Sequence, residues 1–167
     1  ENNKKSYIVK CKLGVFSECG DFETDPIEYN DEKSIILSLK EQTIKNTLTK
    51  FIGAYMQVPP MFSSTKYNGK PLYTYARQNI EINREPKKRQ IYEINYISLK
   101  SDILEFSVVC SSGTYIRTLV QDISKHWDLH SCLYSLHRSK VEPFEDHVNV
   151  TLDRLTIENF SEYVITI

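Results

Sequence analysis

Cys110-Ser111-Ser112-Gly113-Thr114-Tyr115-Ile116-Arg117-Thr118-Leu119-Val120-Gln121-Asp122 carries a strand end, a corner and a helix start in one run. Just upstream, Ile103, Phe106, Val108 and Cys110 sit among polar or smaller neighbours. That alternation predicts a strand of a half-buried sheet, ending at Cys110. Ser112-Gly113-Thr114 then breaks it: Gly113 can take a positive φ, and Thr114 is placed to cap whatever follows. Ile116, Leu119, Val120, Ile123 and Trp127 fall on one face at helical spacing. Arg117 lies off that stripe in the first helical turn, where the helix dipole disfavours a cation. An arginine at such a corner asks for an anionic partner. On position alone a solvated surface arginine is equally open.

Ser-Ser-Gly-Thr-Tyr-Ile-Arg-Thr-Leu followed by Asp122 resembles a signature of pseudouridine synthases of the tRNA uridine-55 (TruB) type. Two further blocks agree in order. The run from Gln57-Val58-Pro59-Pro60 through Phe62-Ser63-Ser64-Thr65-Lys66 to Leu72-Tyr73-Thr74-Tyr75-Ala76-Arg77 is similar to Q-x-P-P-x-[FY]-S-A-x-K-x-x-G-x-x-L-Y-x-x-A-R. Lys5-Ser6-Tyr7 leading to Leu13-Gly14 resembles the family's K-x-Y strand. The likeness runs from about Lys5 to Phe144.

The first strand is expected from Tyr7, Val9, Cys11 and Leu13, which alternate with Ile8, Lys10 and Lys12. Tyr7 reads as a core or cross-strand aromatic by itself. The resemblance makes it the active-site tyrosine, stacked on the target base and a candidate for proton removal. Ser17-Glu18-Cys19-Gly20-Asp21 stands where the family shows T-x-T-x-x-D, with Ser17 and Cys19 as departures. Asp21 is either a turn residue beside Gly20 or the acid that borders the site. The family's nucleophile is the Asp of a G-T-L-D-P-x-A-x-G block. Asp25-Pro26 lacks the Gly-Thr before it and follows the Tyr7 strand instead of preceding it, so it reads as a loop turn. The nucleophile is expected on a segment not among these residues.

A helix is expected from Thr43, as a possible cap, to Phe51, with Ile44, Leu48, Phe51 and Ile52 as its stripe and Gly53 as its end. Pro59-Pro60 opens an insertion reaching to about Pro86, with Pro71 starting a short helix to Arg77. Lys66, Lys70, Arg77, Arg84, Lys87, Lys88 and Arg89 are interleaved there with Tyr67, Tyr73 and Tyr75. Cations with aromatics suit phosphate contact plus base stacking, while composition alone favours a solvated loop. The resemblance implies a mobile insertion that clamps an RNA arm. Strands are expected at Ile91–Leu99 and Ile103–Cys110 about a Lys100-Ser101-Asp102 turn. Leu133-Tyr134-Ser135-Leu136-His137-Arg138 resembles the family's L-R-R strand, with His137 replacing an Arg. Leu136 is either core or a wall of the base pocket. Thr151 to Phe160 is expected as a last helix.

The 167 residues make one ordinary domain, 40% hydrophobic and 26% charged, with a net charge of −1. No overall basic field announces nucleic acid, so an RNA surface must come from local clustering. Cys11, Cys19, Cys110 and Cys132 are scattered, without zinc spacing or a disulfide framework, which fits a reduced cytoplasmic setting. No run is apolar and long enough to span a membrane.

The expected class is α+β with a mainly antiparallel sheet. The resemblance makes this the pseudouridine synthase catalytic fold, its sheet flanked by helices and carrying the RNA-clamping insertion at about 59–86. Residues 1–150 would be the C-terminal part of that catalytic domain and 151–167 a terminal extension, without the PUA domain. The implied reaction is isomerisation of uridine to pseudouridine in the T-arm of tRNA, by a monomer needing no cofactor or metal. Tyr7 and Arg117 would be catalytic. Asp21, Lys66, Tyr67, Arg77, Tyr115 and Leu136 would contact the RNA. Two alternatives are a non-catalytic RNA-binding fragment and the core of a guide-RNA-directed synthase.

Overall fold

The structure is a computed structural model that describes residues 4–141. Its elements in chain order are β1 (Lys5–Leu13), β2 (Val15–Phe16), β3 (Ile27–Glu28), α1 (Lys33–Ser38), α2 (Glu41–Thr49), β4 (Gly53–Gln57), β5 (Lys66–Tyr67), β6 (Lys70–Pro71), α3 (Leu72–Ala76), β7 (Lys87–Lys100), β8 (Ile103–Cys110), α4 (Ile116–Ser124) and β9 (Ser131–Val141). The main sheet is five-stranded and antiparallel, in the order β4-β7-β8-β1-β9, and two short ribbons pair β2 with β3 and β5 with β6.

The alternation in β1 decides which face is covered. Tyr7, Val9, Cys11 and Leu13 are buried, and Val108, Phe106 and Leu104 of β8 stand opposite the first three. Ile44 and Leu48 of α2 and Ile116, Leu119, Val120 and Ile123 of α4 pack into the same cluster. Each such side chain contributes about 1.5–3 kcal/mol on burial. The Trp127 indole donates to Thr47 Oγ1 at 3.0 Å and so ties the end of α4 to α2. The result is the expected α+β arrangement, with helices on one face of an antiparallel sheet.

Three boundaries differ from the expectation. Helix α2 begins at Glu41, with Lys40 as its N-cap and Thr43 already inside it. An acidic first turn suits the positive end of the helix dipole, which a Thr-cap argument overlooks. Ile52 is 48% exposed and lies off the core stripe, because the helix ends at Thr49. Strand β7 begins at Lys87, four residues before Ile91, because its start pairs with β4 from Gln57 to Gly53. The turn to β8 is as expected, with Ser101 at φ 56°. The proposed helix from Thr151 to Phe160 lies outside the described residues.

Candidate active site

The corner after β8 is built on main-chain bonds. Ser111 N–H donates to Gln90 O at 2.8 Å, and Ser111 Oγ accepts from Gln90 N–H at 3.0 Å. Gly113 takes φ +77°, and a Cβ on it would meet the Arg89 guanidinium at 3.3 Å. Thr114 is not the helix cap: its hydroxyl turns back and donates to Ser111 O at 2.8 Å. The N-cap is Tyr115, whose main chain is held by a distant side chain. Gln57 Oε1 accepts from Tyr115 N–H at 2.8 Å, and Gln57 Nε2 donates to Tyr115 O at 3.0 Å. Gln57 is 1% exposed, so both ends of its amide need partners, and one residue's main chain supplies both. Gln57 opens the second sequence block, yet nothing local in the sequence shows that it braces the corner carrying Arg117.

Arg117 leaves the first turn of α4 and is held at three points. Nη1 donates to Cys19 O at 2.8 Å and to Asp21 Oδ2 at 3.1 Å, while Nη2 donates to Phe62 O at 2.7 Å. The carboxylate and guanidinium side chains are 19% and 23% exposed. A charge-assisted bond in that setting is stronger and more directional than a solvated one. The anionic partner that the helix position called for is thus present in this chain. Asp21 is itself positioned: its Oδ1 accepts from Glu23 N–H at 3.0 Å and from the Cys19 thiol at 2.8 Å.

The loop that presents Asp21 is stitched down. Ser17 Oγ accepts from Gly20 N–H at 3.1 Å and donates to Asp21 O. Leu133 N–H donates to Gly20 O at 2.9 Å, and Asp21 forms a parallel bridge to Leu133 of β9. Gly20, at φ +82°, lets this loop pass over α4, because a Cβ would lie 3.3 Å from Arg117 Cβ. The departures at Ser17 and Cys19 therefore still serve hydrogen bonds that hold Asp21.

Tyr7, Leu136 and Arg138 lie along the same face of the β1–β9 pair. Tyr7 stands opposite Arg138, and Val9 opposite Leu136. Tyr7 is 6% exposed and belongs to the core cluster. The Arg138 guanidinium sits over its ring, 5.4 Å from the centroid, in cation–π range. Leu136 is 43% exposed on the edge strand β9, so it is not a plain core residue. Arg138 was named in the sequence only as part of a strand; its stacking on Tyr7 needs the β1–β9 register to be seen.

The insertion has a small frame of its own. Asn68 and Gly69 take φ 47° and 79°, the tight reversal that an Asn-Gly pair favours, and project Lys66, Tyr67 and Lys70 from a β5–β6 hairpin. Lys66, Tyr67 and Arg77 are exposed, and the Arg77 guanidinium lies 5.4 Å from the Tyr73 ring centroid. Leu72 and Ala76 of α3 are buried, a short core pair that the sequence reading missed because the helix has only five residues. Arg84 is used internally, donating to Pro59 O at 3.2 Å across the neck of the insertion. Tyr115 Oη lies 3.0 Å from Thr65 Oγ1 and links the corner to the hairpin.

A cleft of about 890 Å³ opens between the insertion and α4, lined among others by Tyr55, Phe62, Thr118, Gln121 and Asp122. Phe62 also lends its carbonyl to Arg117, whereas Tyr7 and Arg117 do not line the cleft. Burial first, and then its hydrogen bond to Asp122, push the Tyr55 hydroxyl above its ordinary range and keep it a donor. Burial likewise raises the thiols of Cys11, Cys110 and Cys132, which are inert core groups and not nucleophiles. Among the described residues no group of three or more His, Cys, Asp or Glu side chains is arranged to hold a metal ion.

Residues 1–116 match the pattern of the family described as TruB family pseudouridylate synthase (N terminal domain). The chain is 38% identical over 154 residues to tRNA pseudouridine synthase B of Bordetella avium (strain 197N), covering 92% of this chain and 62% of that protein. It is 34% identical over 164 residues to tRNA pseudouridine synthase B of Clostridium tetani (strain Massachusetts / E88), covering 98% of this chain and 55% of that protein. The chain thus spans little more than half the length of the curated relatives it matches. Among solved structures, it resembles a chain of a Cbf5-Nop10-Gar1 complex with a TM-score of 0.58 and 21% identity, over 86% of this chain and 32% of that one. A second likeness, with a TM-score of 0.53 and 18% identity, is to an H/ACA RNP bound to a substrate RNA containing 2'-deoxyuridine, over 87% of this chain and 31% of that one. These structural likenesses speak for a shared fold alone. A family pattern that fits well over half of the sequence, on a sheet of the same fold, settles the kinship: the chain belongs to the TruB family of pseudouridylate synthases.

Proposed function

We propose that these residues form part of the catalytic domain of a tRNA pseudouridine synthase, which isomerises the uridine at position 55 in the T-arm. The reaction breaks the glycosidic bond, turns the base and forms a C–C bond. The target has to leave the stack, since its reacting atoms are hidden in a folded arm. A carboxylate nucleophile comes from a segment of the synthase that is not among these residues. Arg117 pairs with that carboxylate, orients it and keeps it ionised when water is excluded. Asp21 holds Arg117 ready, and Tyr7 stacks on the flipped base with Leu136 beside it. Lys66, Tyr67 and Arg77 take the phosphates and bases of the arm, and Tyr115 joins the insertion to the catalytic corner.

The observation that carries this reading is the three-point hold on Arg117 beside Asp21. A surface arginine has no use for two main-chain acceptors and a placed carboxylate, whereas a catalytic one needs a fixed direction. The guide-directed alternative leans on likenesses of 21% identity or less, which bear on fold only.

Tritium release from 5-tritiated uridine in tRNA tests the proposal. The 167-residue chain alone should give none above background, and the complete synthase should release one tritium per target uridine. Turnover by the chain alone would place the nucleophile within it, and Asp21 and Asp25 would be examined first. A complete protein inactive on the T-arm would end the tRNA reading.

A further inference from the structure

Four cations converge on one end of the sheet, on the face that carries Tyr7. Lys5 precedes Tyr7 by two residues on β1, and its Nζ donates to Ser112 Oγ at 3.3 Å. Arg89 of β7 lays its guanidinium on Gly113, where a Cβ would come within 3.3 Å of it. Lys87, two residues earlier on the same strand, stands opposite Gln57, the residue that braces Tyr115. Arg138 of β9 lies over the Tyr7 ring from the other side. The row crosses β9, β1, β8 and β7, three inter-strand steps or about 14 Å.

Among the described residues no carboxylate pairs with any of the four, as is also true of Lys50, Lys66, Lys70 and Arg77 elsewhere, whereas Lys10, Lys12, Lys45, Arg84, Arg117 and Lys125 each have one. What sets this row apart from an ordinary solvated face is the convergence of four such cations at one sheet end and the burial of part of one of them. Arg89 Nε is also buried without a hydrogen-bond partner, so a guanidinium has been partly desolvated with nothing to receive its proton. Positive charges gathered without counter-ions repel one another, and the buried donor is a standing cost. An extended polyanion laid across the row relieves the repulsion and gives the Arg89 guanidinium a counter-charge.

We propose that Lys5, Lys87, Arg89 and Arg138 form a second phosphate track, distinct from the insertion, that grips the RNA strand flanking the target nucleotide. This rests on the proposed function, and it deepens it by giving the RNA a second line of contact. Arg89 is held flat by the Gly113 corner and is suited to a two-pronged phosphate contact. Arg138 covers the Tyr7 ring where the base would stack, so it moves aside onto the adjoining strand when the base enters. Lys5 and Lys87 act as point charges. The track explains how a chain with a net charge of −1 holds a nucleic acid: the field is local.

The test is equilibrium binding of a T-arm stem-loop RNA to the complete synthase at several potassium chloride concentrations. The variants are Lys87→Gln/Arg89→Gln/Arg138→Gln, the exposed pair Lys87→Gln/Arg138→Gln in case loss of Arg89 disturbs the corner, and Lys66→Gln in the insertion. Each lost phosphate contact should lower the slope of log affinity against log salt by about 0.7–0.9. The triple variant should therefore lose about two to three units of slope and the double variant between about one and two, with affinity falling at least about tenfold in moderate salt. Unchanged slopes in both, alongside a weakened Lys66→Gln, would overturn the track and leave the proposed function standing. Failure of the unmodified synthase to bind the stem-loop would remove both readings.

Discussion

The Arg117 guanidinium lies 3.1 Å from the Asp21 carboxylate, across a gap that Gly20 keeps narrow. The same Nη1 also reaches the carbonyl of Cys19, and Nη2 reaches that of Phe62. The loop before β3 and the start of the insertion are therefore both anchored on one side chain. Position and charge are set together, and that makes the arginine hard to replace.

Arg117→Lys in the complete synthase keeps the charge but loses the planar fork. An ammonium cannot meet three acceptors in these directions and an incoming carboxylate as well. Two charge-assisted hydrogen bonds that the ammonium leaves unmade cost about 1.5–3 kcal/mol each. Lost from the transition state, that is a rate effect of roughly a hundredfold or more. Single-turnover kinetics at saturating enzyme should show that fall, while RNA affinity and its salt slope change little. An unchanged rate with weaker, less salt-sensitive binding would move Arg117 to the RNA surface.

Gln57→Leu should destabilise the fold and loosen the corner together. It fills similar space but leaves the Tyr115 N–H without its partner, while Tyr115 O keeps the Leu119 N–H at 3.0 Å. A buried polar group left unpaired costs about 1–3 kcal/mol. Urea denaturation should register about 1–3 kcal/mol for that one group, with an unchanged slope. A loss below about 0.5 kcal/mol would mean that water replaces the amide and the brace is dispensable.

The strand, corner and helix around Gly113 were legible from the sequence because each rests on a local rule: period two, positive φ, period 3.6. β7 and β8 were legible for the same reason, apart from the first residues of β7. Those pair with β4, which is thirty-eight residues away at the Gly53–Ile91 pair, so no local pattern reports them. The site divides in the same way. Tyr7, Asp21 and Arg117 could be found as motif residues. That Asp21 faces Arg117, that Gln57 braces Tyr115 and that Arg138 covers Tyr7 depend on pairings from distant parts of the chain. Leu136 shows the limit most plainly. The sequence left core and pocket wall equally open, and 43% exposure on the edge strand β9 rules out plain core packing.

Alkaline stability should depend on Cys11. Burial, with a smaller push from nearby Cys132, raises its thiol from 9.0 to about 12. Below pH 9 the thiol is neutral in both folded and unfolded chains, and its full contribution is present. Above that the unfolded chain ionises first, so stability is lost as pH rises, until the folded thiol also titrates near 12. The expected decline is about 1.4 kcal/mol per pH unit from this group. Urea melts under reductant, from about pH 8 to about pH 10.5, should show a steeper decline for the parent chain than for Cys11→Ala. The cavity made by the substitution shifts the whole curve and not its pH slope. Parallel curves would show that the thiol is more open to solvent than the packing around it implies.

Cys19 is the departure from the family pattern that sits nearest the chemistry, and its role can be separated from simple packing. Its thiol lies 2.8 Å from Asp21 Oδ1 and 3.0 Å from Thr24 Oγ1, while its carbonyl accepts from Arg117. The side chain therefore acts on Arg117 through Asp21, as a positioning residue. Cys19→Ala removes the donor and leaves Asp21 Oδ1 with the Glu23 amide alone. A thiol is a weak donor, so the loss is at the low end for a hydrogen bond, about 0.5–1 kcal/mol. In the complete synthase that is a fall of about two- to fivefold in the single-turnover rate, with stem-loop affinity unchanged. Cys19→Thr supplies a stronger hydroxyl donor of similar size and should restore the rate or exceed it. Ala leaves a small cavity and Thr adds a methyl, so a purely structural role would move thermal stability in both and the rate in neither. A Cys19→Thr enzyme as slow as Cys19→Ala would show that the thiol does not orient Asp21.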